Sequence, residues 1–159
     1  MARGAGFARL VKTLERTALL EVPPEVAYEV VIDVAQYPQF LPGCERVQVL
    51  ENHASVLVAQ VSVAGKGLQE SFVTSNVHRP YESVTMSLQQ GPFEYLQGQW
   101  LFTPLGDVGC KVDLRIEYLP KGVLVRLLSS LADRIANRLV DAFSERIAQQ
   151  NVRDSASGH

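Results

Sequence analysis

Residues 110–149 read CKVDLRIEYLPKGVLVRLLSSLADRIANRLVDAFSERIAQ, and the periodicity changes once within them. Cys110, Val112, Leu114, Ile116 and Tyr118 alternate with Lys111, Asp113, Arg115 and Glu117. Alternation at period 2 is the mark of a strand with one buried and one wet face. From Gly122 to Gln149 the apolar residues recur every three or four positions: Leu124, Leu127, Leu128, Leu131, Ile135, Leu139, Ala142, Phe143 and Ile147. Arg126, Asp133, Arg134, Asn137, Arg138, Asp141 and Glu145 fall opposite them. This predicts one amphipathic helix of about 25 residues, roughly 37 Å long, enough to cross a small sheet.

Between Val47 and Phe102 the periods are strand-like. Val47 and Val49 alternate with Arg46 and Gln48, then Asn52-His53 turns the chain into Val56–Val63. Gly65-Lys66-Gly67 turns it again into a strand with Leu68, Glu70, Phe72 and Thr74 on one face. Arg79-Pro80 breaks that strand before Val84, Met86 and Leu88, and Gly91-Pro92 precedes Leu96, Gly98, Trp100 and Phe102. The segment Pro104–Gly109 reads as the next turn. Near the start, Leu14, Ala18, Leu20 and Val22 share one side of a strand that Arg16 interrupts. Pro23-Pro24-Glu25 ends it, and proline there suits a first helical turn. Val26, Val30 and Val31 predict a short helix to Ile32, and Asp33 with Gln36 has the spacing of a capping box for a second one, which Pro38 and Pro42 keep short.

The predicted order is β-α-α-β-β-β-β-β-β-α, an α+β fold in which a seven-stranded curved antiparallel sheet wraps the C-terminal helix. Residues 1–11 are expected to form a flexible arm, 12–149 a single domain, and 150–159 a disordered tail. One helix does not fill the concave side of so wide a sheet. Either a cavity remains there or bulky side chains close it. The candidate lining is Phe72, Met86, Trp100, Phe102, Leu114 and Ile116 from strands, with Leu124, Leu128 and Leu131 from the helix. An apolar pocket of this kind suits a hydrophobic small molecule.

Composition excludes several classes. The chain has 159 residues, 47% of them hydrophobic, with 15 Lys and Arg against 17 Asp and Glu. That is one globular domain with no general electrostatic drive toward nucleic acid, and DNA is not an expected partner. No apolar run approaches the roughly 20 residues of a membrane span. Met1–Val11 has no apolar stretch of a secretory signal, and two cysteines make no disulfide framework, so a cytoplasmic location is expected.

Catalytic chemistry finds no motif. His53, His78 and His159 are far apart and lack metal-site spacing, so no metal is expected. Cys44 and Cys110 read as small buried side chains. No nucleophile elbow or phosphate-binding glycine loop occurs. Glu70, beside Phe72, is the one carboxylate placed to enter the cavity, against the alternative of a solvent position. Arg126, Arg134 and Arg138 project from the polar side of the last helix, interleaved with acids. They form either a solvated ion-paired face or a contact surface for RNA phosphates or an anionic membrane.

Tyr37-Pro38-Gln39-Phe40-Leu41-Pro42-Gly43-Cys44 resembles a signature of the coenzyme Q-binding, START-like family within the polyketide cyclase superfamily, whose bacterial branch includes ribosome-association toxins. Gly91-Pro92-Phe93, Leu96, Trp100–Leu105, Arg16-Thr17-Ala18 and Ala142-Phe143 with Arg146 also match, so the resemblance spans about Lys12 to Ala148. It implies the helix-grip fold and a non-enzymatic protein that holds ubiquinone or a related polyprenyl lipid in a tunnel between sheet and helix, supporting respiration. The lipid is ligand rather than catalytic cofactor. The toxin branch implies instead binding of the large ribosomal subunit and a block of translation initiation. Related cyclases and aromatases keep an enzyme as a third reading. Tyr37, Phe40, Leu41 and Pro42 form a stiff apolar segment and Phe93 sits on a rigid hairpin. Each either lines a tunnel mouth or anchors the core. A carrier of membrane lipid would also touch the inner face of the membrane transiently.

Overall fold

The computed structural model describes residues 10–65, 67–122 and 124–157, the side chains of 127, 129–131 and 154–157 excepted. Seven strands alternate with turns: β1 (Lys12–Leu20), β2 (Cys44–His53), β3 (Val56–Gly65), β4 (Leu68–Arg79), β5 (Ser83–Gln90), β6 (Phe93–Leu105) and β7 (Gly109–Pro120). They form one antiparallel sheet in the order β1-β7-β6-β5-β4-β3-β2. Five successive hairpins build β2 to β7, and β1 closes on β7 with Leu14 opposite Ile116 and Ala18 opposite Val112.

β1 and β2 are opposite edges of this sheet, so the chain must cross its width between Leu20 and Cys44. It does so through α1 (Pro24–Ile32), a single 3-10 turn (Val34–Gln36) and α2 (Tyr37–Phe40). Pro24 stands in the first turn of α1, where its missing N–H costs nothing. The capping box expected at Asp33 and Gln36 does not form. Asp33 makes no side-chain cap, and only its carbonyl accepts from the Gln36 N–H, at 3.1 Å. A 3-10 turn is too short to need more.

α3 (Leu124–Ser157) is longer than expected. Residues 150–157 continue the helix instead of forming a disordered tail, because no proline or glycine interrupts Asn151–Ser157. β6 likewise runs through Pro104 to Leu105, and the turn is confined to the residues between Leu105 and Gly109. Pro104 is tolerated close to the strand end, opposite Cys110. The arm of residues 1–9 lies outside the described residues.

The tight core is at one end of the concave face. Val22, Ala27, Tyr28, Val30 and Val31 of the β1–α1 segment pack there with Val84, Phe102, Cys110, Val112, Phe143 and Ile147. Val34, Leu57 and Ala59 continue it toward β3. Ala136, Phe143 and Ile147 are buried and Val140 half-buried on α3, a spacing of four, three and four that lays one face of the helix on the sheet.

Candidate functional site

The inner face of the sheet is closed at the α1 end and half-exposed at the other. Val61, Val63, Leu68, Phe72, Met86, Leu88, Trp100 and Ile116 all occupy inward register positions, yet each keeps partial exposure. Near the start of α3, Leu128 is half-buried too, whereas Leu124 is buried. Inward apolar side chains that keep exposure are not covered along this half by the described residues. They line a half-open apolar cleft face toward the Gly65 and Gly91 hairpins.

Gly98 widens it. A Cβ at this position would lie 2.8 Å from Met86 Cε, so the glycine leaves room for the methionine on the cleft wall. Gly91 shapes the rim. With φ +151° it brings the hairpin against Phe72, and a Cβ would lie 2.5 Å from Phe72 Cβ. Phe72 in turn packs edge-on against Phe93, ring centroids 6.3 Å apart, which puts the hairpin aromatic at the cleft.

The Tyr37–Cys44 segment divides between two tasks. The Tyr37 hydroxyl donates to the Val31 carbonyl, and burial pushes its phenol well above the usual range. Tyr37, Phe40 and Trp100 surround Phe143 edge-on, with centroids 5.2, 5.3 and 4.8 Å away. These contacts anchor α2 to α3. Arg146 adds a hydrogen bond to Gln39 Oε1 at 3.1 Å and lies 5.3 Å over the Phe40 ring. Leu41 is half-buried and Pro42 exposed. Gly43, joined to β3 by its carbonyl accepting from Ala64 N–H at 2.8 Å, brings this loop to the hairpin end of the cleft.

Phe102 sits in the closed core against Tyr28, centroids 5.7 Å apart, and not in the open half. It follows Trp100 on the same inner row, but two residues further along a strand is about 7 Å, and Tyr28 fills the space there. Leu114 is buried and borders a small cavity of about 10 Å³ with Arg16, Trp100 and Phe143. The Leu131 side chain lies outside the described residues. Arg126, Arg134 and Arg138 are exposed on α3. A separate outer groove of about 640 Å³ runs between α1 and the end of α3, bordered by Glu25, Glu29, Phe40 and Arg146.

Arg16 interrupts the apolar side of β1 as the sequence indicates, and its partners are visible only in the structure: it donates to Asn137 Oδ1 at 2.7 Å and Asp133 Oδ1 at 3.1 Å. A second inner-row feature escaped the sequence reading. On β4 the alternation continues past Thr74 to Asn76 and His78, so the inner row there is mostly polar; extending the period by two residues would have found it. Glu70 belongs to that row and is half-buried opposite Val63. Burial pushes the thiols of Cys44 and Cys110 up, away from the thiolate a nucleophile needs. Among the described residues no three of His, Cys, Asp and Glu gather as a metal site, and no helix is long and apolar enough to cross a membrane.

Residues 20–144 match the family model described as polyketide cyclase / dehydrase and lipid transport. The chain belongs to this family. It is 41% identical over 137 residues to the ribosome association toxin RatA of Pseudomonas aeruginosa, covering 86% of this chain and 95% of that one. A RatA of Vibrio cholerae is 39% identical over 140 residues, 87% and 97% of the two chains. A mitochondrial coenzyme Q-binding protein of Drosophila melanogaster is 26% identical over 137 residues, 83% of this chain and 57% of that one. In three dimensions the family member superposes on the Zhui aromatase/cyclase of Streptomyces with a TM-score of 0.80 at 16% identity, over 88% of this chain and 95% of that one. A START superfamily protein of Mycobacterium smegmatis gives 0.72 at 22% identity, over 86% and 97%. The helix-grip fold is therefore shared with an aromatase/cyclase and with a START superfamily protein, and chemistry has to be argued from the site.

Proposed function

We propose that the protein binds a hydrophobic ligand, ubiquinone or a related polyprenyl lipid, in the cleft between the sheet and α3, and holds it without chemical conversion in support of respiration. The observation that carries this reading is the half-exposed apolar inner row of Phe72, Met86, Leu88, Trp100 and Ile116. Such a surface gains roughly 25 cal/mol for each Å² that a lipid covers. Phe93, Leu41 and Pro42 stand at its open end, where a lipid tail would enter. The raised thiols of Cys44 and Cys110 favour a carrier over a thiol-based catalyst. The protein would work in the cytoplasm and collect its ligand at the inner face of the membrane.

The test is organic extraction of the purified protein followed by mass spectrometry, with native mass spectrometry of the intact complex. A stoichiometric quinone or polyprenyl lipid is expected. Protein that stays empty, and takes up no short-chain ubiquinone on titration, would refute the reading.

A second reading rests on a different observation. Relatives about 40% identical over nearly their whole length carry the name ribosome association toxin. Under this reading the exposed Arg126, Arg134 and Arg138 contact RNA phosphates of the large ribosomal subunit, and translation initiation is blocked. Salt-sensitive cosedimentation with isolated large subunits separates it from the carrier.

A further inference from the structure

The inner row of β4 runs Glu70, Phe72, Thr74, Asn76 and His78, and Asn76 stands opposite Leu57 of the closed core on one side and Met86 on the other. Asn76 is 9% exposed and Thr74 3%. The Asn76 amide is oriented by its neighbours. Nδ2 donates to the Leu57 carbonyl at 3.1 Å and to Thr74 Oγ1 at 3.2 Å, with a longer 3.5 Å contact to the Thr74 carbonyl. A backbone carbonyl only accepts, so the group facing Leu57 must be the NH₂. Both N–H donors are thereby used within the chain.

Among the described residues no group donates to Oδ1, and no fully enclosed side-chain polar atom lacks a partner. Oδ1 is therefore not fully enclosed. What it offers is a neutral acceptor on the inner face of the sheet, on the strand that pairs Asn76 with Met86. Thr74 is closed over more completely and serves to hold the amide.

We infer that Asn76 Oδ1 is the polar anchor for the head group of the ligand, and that it selects a head group that donates a hydrogen bond. A phenol or hydroquinone hydroxyl meets this requirement. A quinone carbonyl, which only accepts, would set two oxygen lone pairs against each other. This rests on the hydrophobic-ligand reading and adds to it a preference for the reduced over the oxidised ring.

The experiment is equilibrium dialysis under anaerobic conditions with a short-chain ubiquinone, its hydroquinone, and the dimethyl ether of that hydroquinone. The hydroquinone is expected to bind about tenfold tighter than the other two, the worth of one buried hydrogen bond. Asn76→Leu should bring the three affinities together while leaving the quinone bound. If that variant does not fold, because it strips the donor from Leu57 and Thr74, the hydroquinone–ether comparison on the unaltered protein decides alone. Equal affinities, or tighter binding of the quinone, would overturn the anchor while leaving the hydrophobic-ligand reading intact. Binding of none of the three would overturn both.

Discussion

Arg16 Nη2 lies 3.1 Å from Asp133 Oδ1, so the arginine in the middle of the inner row of β1 is committed to α3 instead of being buried alone. The pair is unequal: the Arg16 side chain is 26% exposed and that of Asp133 86%. An exposed carboxylate contributes little, whereas an arginine robbed of its partners on an apolar face costs more. Arg16→Gln should lower the unfolding free energy by about 1–2 kcal/mol, since the Asn137 bond goes too. Asp133→Asn should cost less than about 0.5 kcal/mol. Urea denaturation of both variants checks the order, and a larger loss for Asp133→Asn would contradict it.

Gly91 and Gly98 should respond differently to the same change. Gly91→Ala meets Phe72 Cβ in a backbone conformation that L residues avoid, and about 2 kcal/mol or more should be lost. Gly98→Ala meets only the flexible end of Met86, and the cost should stay under about 1 kcal/mol. Thermal melts distinguish the two.

Met86→Trp is expected to fill the cleft with the fold retained, because Met86 is half-buried on an unfilled wall. Affinity for short-chain ubiquinone should fall at least about tenfold, the worth of burying a side-chain-sized apolar area. A folded variant with unchanged affinity would move the ligand elsewhere.

Burial lowers the His78 imidazole below its ordinary 6.5, with the Tyr28 ring edge-on 6.4 Å away. The native state therefore favours neutral His78, and the unfolded chain takes the proton first. Stability is full above pH 6.5 and is lost as pH falls from there through the lower native value. Urea midpoints at about pH 7.5 and 5 should differ less for His78→Gln than for the unaltered protein.

For ribosome association, the triple change of Arg126, Arg134 and Arg138 to Gln should leave the melting curve in place and any bound quinone unaffected. If all three contact phosphate, the salt slope of large-subunit binding should fall by roughly three. An unchanged slope would clear this face of α3 of that role.

The architecture was legible because each element announces its own period. Cys110–Tyr118 alternates without a break, and the stripe from Leu124 to Ile147 changes to helical spacing across one turn. The inward rows were legible for the same reason: Met86, Trp100 and Phe72 had to share one face of the sheet once β4, β5 and β6 were in register. The capping box at Asp33 and the end of α3 were misread because those signals are local and weak, and a 3-10 turn or an uninterrupted helical tail satisfies them equally well.

The sequence by itself determined the sheet, its inward rows and the helix they face, because burial of an apolar stripe is set by spacing along the chain. Tertiary structure alone decided which inward residues close the core and which stay half-exposed. Phe102 and Trp100 stand two positions apart on one row, yet Phe102 meets Tyr28 in the closed core and Trp100 keeps partial exposure. It also decided that Arg16 reaches Asp133 and Asn137 across 117 and 121 residues of chain, and that Asn76 spends both its N–H groups. Contacts between residues so far apart in the chain depend on how sheet and helix curve around each other, which no local spacing encodes.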